Sequence, residues 1–168
     1  MNTGDLGFLL DGELYVIGRS KDLIIIRGRN IYPQDIERAV ERALPFVEAN
    51  SCTAFSLMDG GEEKLGLLIE ANREFVRTAK ASTTDPAATA TLREHVARVR
   101  QEVGDEFEIP VYALAFVRPG EFPRTSSGKV QRHRCREMLQ GGEHEFVFVS
   151  KSDMASRKIG RASCRERV

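Results

Sequence analysis

Gly18-Arg19-Ser20-Lys21-Asp22-Leu23-Ile24-Ile25-Ile26-Arg27-Gly28-Arg29-Asn30-Ile31-Tyr32-Pro33-Gln34-Asp35-Ile36-Glu37 passes through several kinds of backbone in one short stretch. Gly18 to Asp22 is a polar, charged break. Leu23 to Ile26 is short, apolar and β-branched, which predicts a buried strand. Arg27 to Asn30 reads as a loop, where Gly28 supplies a positive φ or lets a backbone or narrow ligand approach closely. Pro33 suits the first turn of a helix, with Asp35 and Glu37 near its positive end. Ile36, Ala39, Val40, Ala43 and Leu44 follow at helical spacing, and Pro45 marks the stop.

Upstream, Leu6 to Leu10 and Glu13 to Ile17 flank Asp11-Gly12, a strong hairpin signal. Downstream, Ala49 to Leu57 and Leu65 to Ala71 read as two strands around Asp59-Gly60-Gly61. Residues 78–85 read as a connection. Asp85-Pro86 opens a helix lined by Leu92, Val96, Val99 and Val103, with Gly104 just past its end. Val111 to Val117 is a further strand, 118–129 a loop, and Cys135, Met138 and Leu139 mark a short helix. The expected class is α+β: an amino-terminal β-hairpin, then a small three-stranded mixed sheet with helices covering one face. Residues 156–168 lack apolar pattern and read as a cloning- or sequencing-derived tail.

The chain has 168 residues, with 25 Lys+Arg against 25 Asp+Glu and a hydrophobic fraction of 41%. That length suits one ordinary domain, or one domain with a small appendage. Zero net charge argues against bulk electrostatic binding to nucleic acid or anionic membrane. No apolar run approaches the ~20 residues that cross a bilayer. Cys52, Cys135 and Cys164 are too few and too scattered for a disulfide framework, so cytoplasm is the expected compartment. Cys52, Cys135, His133 and His144 lack the close pairs of a zinc site, and no resident metal is expected.

Chemistry concentrates in Pro123-Arg124-Thr125-Ser126-Ser127-Gly128-Lys129. A flexible hydroxyl-rich loop ending in Gly-Lys can carry a cation to a phosphate or carboxylate and meet charge developing in a transition state. A P-loop would need glycine where Pro123 stands and Ser or Thr where Val130 stands, so that reading is rejected. The break 18–22 can serve as a hinge. Asp5, after Gly4, can accept ribose hydroxyls or cap a turn. The run Arg132 to Arg136 reads as a solvated helix face.

Taken together and in order, Thr3-Gly4-Asp5, Gly18 to Asp22, Arg27 to Glu37, and Pro123 to Arg132 resemble the carboxy-terminal part of adenylate-forming enzymes. Within that superfamily they look most like the fatty acyl-AMP ligases, over residues 3 to about 140. The resemblance implies that Asp5 holds the ribose of ATP and that Arg19 contacts ribose or phosphate. It implies that Lys21 is the domain hinge and Gly28 lines a thiol-entry tunnel. Lys129 would reach the acyl carboxylate and α-phosphate. It divides the chain into the end of a large adenylation domain (1–18), a hinge (19–22), a lid domain (23–140) and a tail (141–168). The implied substrates are a fatty acid and ATP with Mg²⁺, and the implied acceptor is the phosphopantetheine thiol of an acyl carrier protein. The large amino-terminal domain is expected to lie outside this sequence, leaving it inactive alone. Asn30 stands where many CoA-using relatives carry arginine. A lid of an acyl-CoA synthetase and a noncatalytic module that docks a carrier protein are the alternatives.

Overall fold

The computed structural model describes residues 4–142 and 144–152. The segment 156–168, expected to be extraneous, lies outside the described residues. The first unit is the antiparallel pair β1 (Asp5–Leu10) and β2 (Glu13–Arg19). Asp11 and Gly12 turn it with φ of 51° and 84°, the positive angles that a two-residue turn between right-twisted strands requires. A single 3₁₀ turn, Ser20–Asp22, follows.

The expected buried strand is β3 (Ile24–Ile26), but it belongs to a second ribbon rather than to the main sheet. Ile24 and Ile26 are buried, while Ile25 is exposed, so the strand is half-buried. The run Arg27 to Asn30, read as loop, overlaps β4 (Arg29–Ile31), which pairs with β3 across a tight Arg27-Gly28 turn. Helix α1 (Pro33–Ala43) buries Pro33, Ile36, Ala39 and Val40, as its spacing predicts.

The main sheet has order β5-β6-β7-β8. β5 (Cys52–Asp59) and β6 (Glu62–Glu70) form the second expected hairpin. β6 pairs parallel with β7 (Val111–Val117), so the chain must cross over between them. Two helices make that crossover. α2 (Arg73–Ala81) occupies part of the expected connection; Asn72 caps it by accepting from the Phe75 amide at 2.7 Å, and Phe75 and Ala79 are buried. α3 (Pro86–Phe107) starts at Asp85 as expected but runs through Gly104, because Val103 and the partly buried Phe107 continue its core face. It stops at Glu108, in the left-handed region, ahead of Ile109-Pro110.

α4 (Arg132–Gly141) is the expected short helix. β8 (Phe148–Lys151) was not expected and lies in the segment read as tail. It pairs antiparallel with β7 and makes the sheet four-stranded. Helices lie on both faces, not one. α1, α2 and α3 pack with Leu67, Ile69, Leu114 and Phe116, and α4 packs with Phe55, Leu68, Ala113 and Ala115. Gly66 matters to this second core: an added Cβ would come 2.7 Å from Leu57 Cδ1 and 2.8 Å from Phe55 Cε2. Among the described residues, no helix is long and apolar enough to cross a membrane.

Candidate functional site

The loop that carries Lys129 is a small hairpin, not a flexible arm. Arg124 and Val130 bridge its two sides. The Thr125 amide donates to the Lys129 carbonyl at 2.8 Å, and the Gly128 amide to the Thr125 carbonyl at 2.9 Å. The Thr125 hydroxyl accepts from the Lys129 amide at 3.0 Å and lies 2.9 Å from Ser127 Oγ. Gly128 takes φ of 80°, which closes the tip. Thr125 and Ser127 therefore fasten the loop to itself, and Lys129 is exposed beside its tip.

Both roots of this hairpin are pinned. Arg124 donates to Glu70 at 3.1 Å and to Ser51 Oγ at 3.1 Å, with its guanidinium 5.1 Å from the centre of the Phe122 ring. Gln131 Nε2 donates to the Arg124 carbonyl at 2.8 Å, and the Gln131 amide to the Pro123 carbonyl at 2.9 Å.

The other root is Arg132. It is not on a solvated face: its side chain is 16% exposed and meets three oxygens. Nε donates to the Ala54 carbonyl at 2.9 Å, Nη2 to Glu37 at 2.6 Å, and Nη1 to Asp22 at 3.3 Å. The same Glu37 oxygen accepts from the Ala54 amide at 2.9 Å and from Thr53 Oγ1 at 3.2 Å. β5 is an edge strand, so the Ala54 peptide would otherwise lie unpaired. Glu37 and Arg132 satisfy its N–H and C=O as a neighbouring strand would. Nearby, burial pushes the Cys52 thiol well above its ordinary range, with Glu37 adding to the effect. Burial likewise pushes Cys135 up to about 12. Both thiols are packing groups at neutral pH.

The remaining expected site residues lie at the surface. Asp5 and Arg19 are cross-strand partners at the open end of the first hairpin, 3.5 Å apart. The Ser20 amide donates to the Gly4 carbonyl at 2.8 Å, so the hairpin end and the 3₁₀ turn are joined. Lys21 is exposed in that turn, beside Asp22. Gly28 sits in the β3–β4 turn at φ of 76°. Arg29, next to it, donates to the Phe107 carbonyl at 3.2 Å and pairs with Glu108, fixing the turn to the end of α3. The structure thus brings Asp5 and Arg19 together, and ties Asp22 to the root of the Lys129 hairpin. The sequence pattern assigns no anchoring role to Glu37, Arg132, Arg124 or Glu70. One signal existed for Glu37: it falls between Ile36 and Val40, beside the apolar stripe of α1.

No family model matches the chain. The medium-chain-fatty-acid–[acyl-carrier-protein] ligase JamA of Moorena producens is 43% identical over 142 residues, 84% of this chain and 22% of its own length. The long-chain-fatty-acid–AMP ligase FadD26 of Mycobacterium tuberculosis is 34% identical over 150 residues, 89% of this chain and 24% of its own. A solved structure from work on fatty acyl-adenylate ligases of E. coli and L. pneumophila superposes with a TM-score of 0.64 at 36% identity, over 84% of this chain and 22% of that one. The chain is a carboxy-terminal domain of the adenylate-forming enzymes. Its similarity is to the fatty acyl-AMP ligases among them, and it spans under a quarter of the length of those relatives. In this domain the Arg124 and Arg132 anchors bracket the hairpin from which Lys129 projects.

Proposed function

We propose that this chain is the lid of a fatty acyl-AMP ligase. The full-length enzyme would join a fatty acid to ATP, releasing pyrophosphate and forming an acyl-adenylate. The acyl group would then pass to the phosphopantetheine thiol of an acyl carrier protein. In this reading residues 1–18 end the large adenylation domain, 19–22 are the hinge, and 23–140 are the lid. The exposed Phe8, Leu9, Leu14 and Val16 of the first hairpin support that division, since an isolated two-stranded ribbon needs covering. Asp5 and Arg19, paired across that ribbon, would face the ribose of ATP. Mg²⁺ would arrive as the counter-ion of the ATP phosphates.

The observation that carries the reading is Lys129 held at the exposed tip of a hairpin pinned at both roots. Adenylation brings a carboxylate to the α-phosphate of ATP, so two anions must approach. A cation on a preorganised support offsets their repulsion without reorganising as the reaction proceeds. The effect grows once a closing lid excludes water. Removing such a contact typically costs ~2.7–4 kcal/mol, or about 10²–10³ in rate.

The test separates the half-reactions in the full-length enzyme. Lys129→Ala is expected to slow acyl-adenylate formation by roughly 10²–10³. Transfer from preformed acyl-adenylate is expected to stay near wild type, because the lid turns and carries this lysine away. Near wild-type adenylation by Lys129→Ala would defeat the assignment. Offering the loaded enzyme CoA and carrier protein side by side identifies the acceptor.

A further inference from the structure

We propose that Arg132 is a positioning residue that couples the hinge turn to the Lys129 hairpin through Asp22. The proposal deepens the adenylation reading and rests on it. Arg132 follows the hairpin directly: Gln131, its neighbour, closes the hairpin on Pro123. Asp22 is the last residue of the 3₁₀ turn that contains Lys21. The two residues are far apart in sequence, yet Arg132 Nη1 lies 3.3 Å from Asp22 Oδ2, with the side chains 16% and 29% exposed.

The other two partners of Arg132 make this contact directional. Nε on the Ala54 carbonyl and Nη2 on Glu37 fix the plane of the guanidinium against β5 and α1. A planar fork held at two corners has no freedom at the third. Asp22 therefore meets a donor whose position is set by the lid's own framework. The hinge turn is held at both ends by different bodies. Ser20 bonds back to Gly4 at the first hairpin, and Asp22 bonds forward to Arg132. Rotation is thereby confined to the residues between those two bonds, where Lys21 lies. Any rotation there moves Arg132, and with it the root of the hairpin that presents Lys129. Without the Asp22 contact the pivot would spread toward β3, and Lys129 would arrive over a broader range of positions.

Asp22→Asn, Arg132→Lys and the double variant in the full-length enzyme test this. Asp22→Asn removes one charge and leaves Glu37 and the Ala54 carbonyl in place on Arg132. Arg132→Lys keeps the charge, but an ammonium cannot serve three fixed directions. Each single variant is expected to lower kcat for adenylation roughly tenfold, the scale of one charged hydrogen bond. KM for ATP should stay unchanged, and transfer from preformed acyl-adenylate should remain near wild type. The double variant should be no slower than the slower single one, because both act through one contact. Amide exchange at Leu23, which closes the turn by donating to Ser20 at 3.4 Å, should quicken in both singles. Additive losses in the double variant, or wild-type adenylation with unchanged Leu23 exchange in Asp22→Asn, overturn the coupling. If the wild-type enzyme forms no acyl-adenylate, the adenylation reading fails; Leu23 exchange then decides the Asp22–Arg132 contact alone, quickened for it and unchanged against it.

Discussion

At Gly28 the backbone φ is 76°, and a Cβ built there meets no heavy atom within 4 Å. Within this domain the glycine answers to conformation, not to crowding. Any L-residue there pays about 1–2 kcal/mol for the left-handed backbone. Gly28→Ala and Gly28→Leu should therefore lose similar stability, as read by denaturant unfolding. If the turn also lines a thiol path, only the leucine has bulk to fill it. Acyl transfer should then fall on the order of tenfold or more from the alanine to the leucine variant, with adenylation alike in both. Equal transfer rates would remove the tunnel role. Arg132 teaches the opposite lesson about residue types. A run with three arginines and a histidine looks solvated, yet its first member holds three oxygens in a partly buried node.

At the scale of elements, α3 carries a pH dependence. His95 lies against Phe46 and Phe75, with ring centres at 5.0 and 6.0 Å, and its Nδ1 is buried without a hydrogen-bond partner. Burial holds its pKa below the ordinary 6.5, with Glu94 raising it and Arg98 lowering it by smaller amounts. The folded form therefore binds fewer protons than the unfolded one in the window just below 6.5. Folding stability should be unaffected by this group above that window and decline as pH falls through it. His95→Phe should flatten the decline when unfolding is followed from about pH 7.5 to about pH 5.5, roughly a unit either side of the ordinary histidine value. An unchanged slope would place the titration elsewhere. Elements also show where patterns mislead. The Thr- and Ala-rich run masks the end of α2, whose signal lies earlier, in Asn72 and Phe75. Gly104 looks like a stop, but a glycine inside a helix costs only about 1 kcal/mol relative to alanine. Packing of Val103 on the core outweighs that.

The whole molecule presents its expected site residues to solvent: Asp5, Arg19, Lys21, Gly28 and Lys129 are all exposed. Charges in water act weakly on one another, at about 1 kcal/mol for 4 Å. The catalysis proposed for Lys129 would need a second body to exclude that water. The clefts lined by Ser82, Asp85 and Arg93, and by Arg29, Tyr32 and Phe107, do not border Lys129. The chain alone is therefore expected to give no detectable ATP–pyrophosphate exchange, measured with radiolabelled pyrophosphate and medium- or long-chain fatty acids. Robust exchange by the pure chain would mean that its own surface assembles a phosphate site. Restoring activity by adding an adenylation domain in trans would support the lid assignment.

By itself the sequence determined the elements whose signals are local. Asp11-Gly12, Pro33, Asp85-Pro86 and the β-branched and apolar runs act through backbone angles and short-range periodicity, so their elements are legible without a fold. The order of the four motifs likewise determined the family resemblance. Tertiary structure alone decided three things. It enrolled β8, a strand too short to declare itself, because an open edge of β7 was there to pair with it. It placed helices on both faces of the sheet, because the strands are apolar on both. It drew Asp22, Glu37 and Arg132 into one node, because a charged side chain can be taken from water only where fixed partners replace its hydration. Those partners come from the 3₁₀ turn Ser20–Asp22, α1, β5 and the start of α4, and no spacing along the chain announces their meeting.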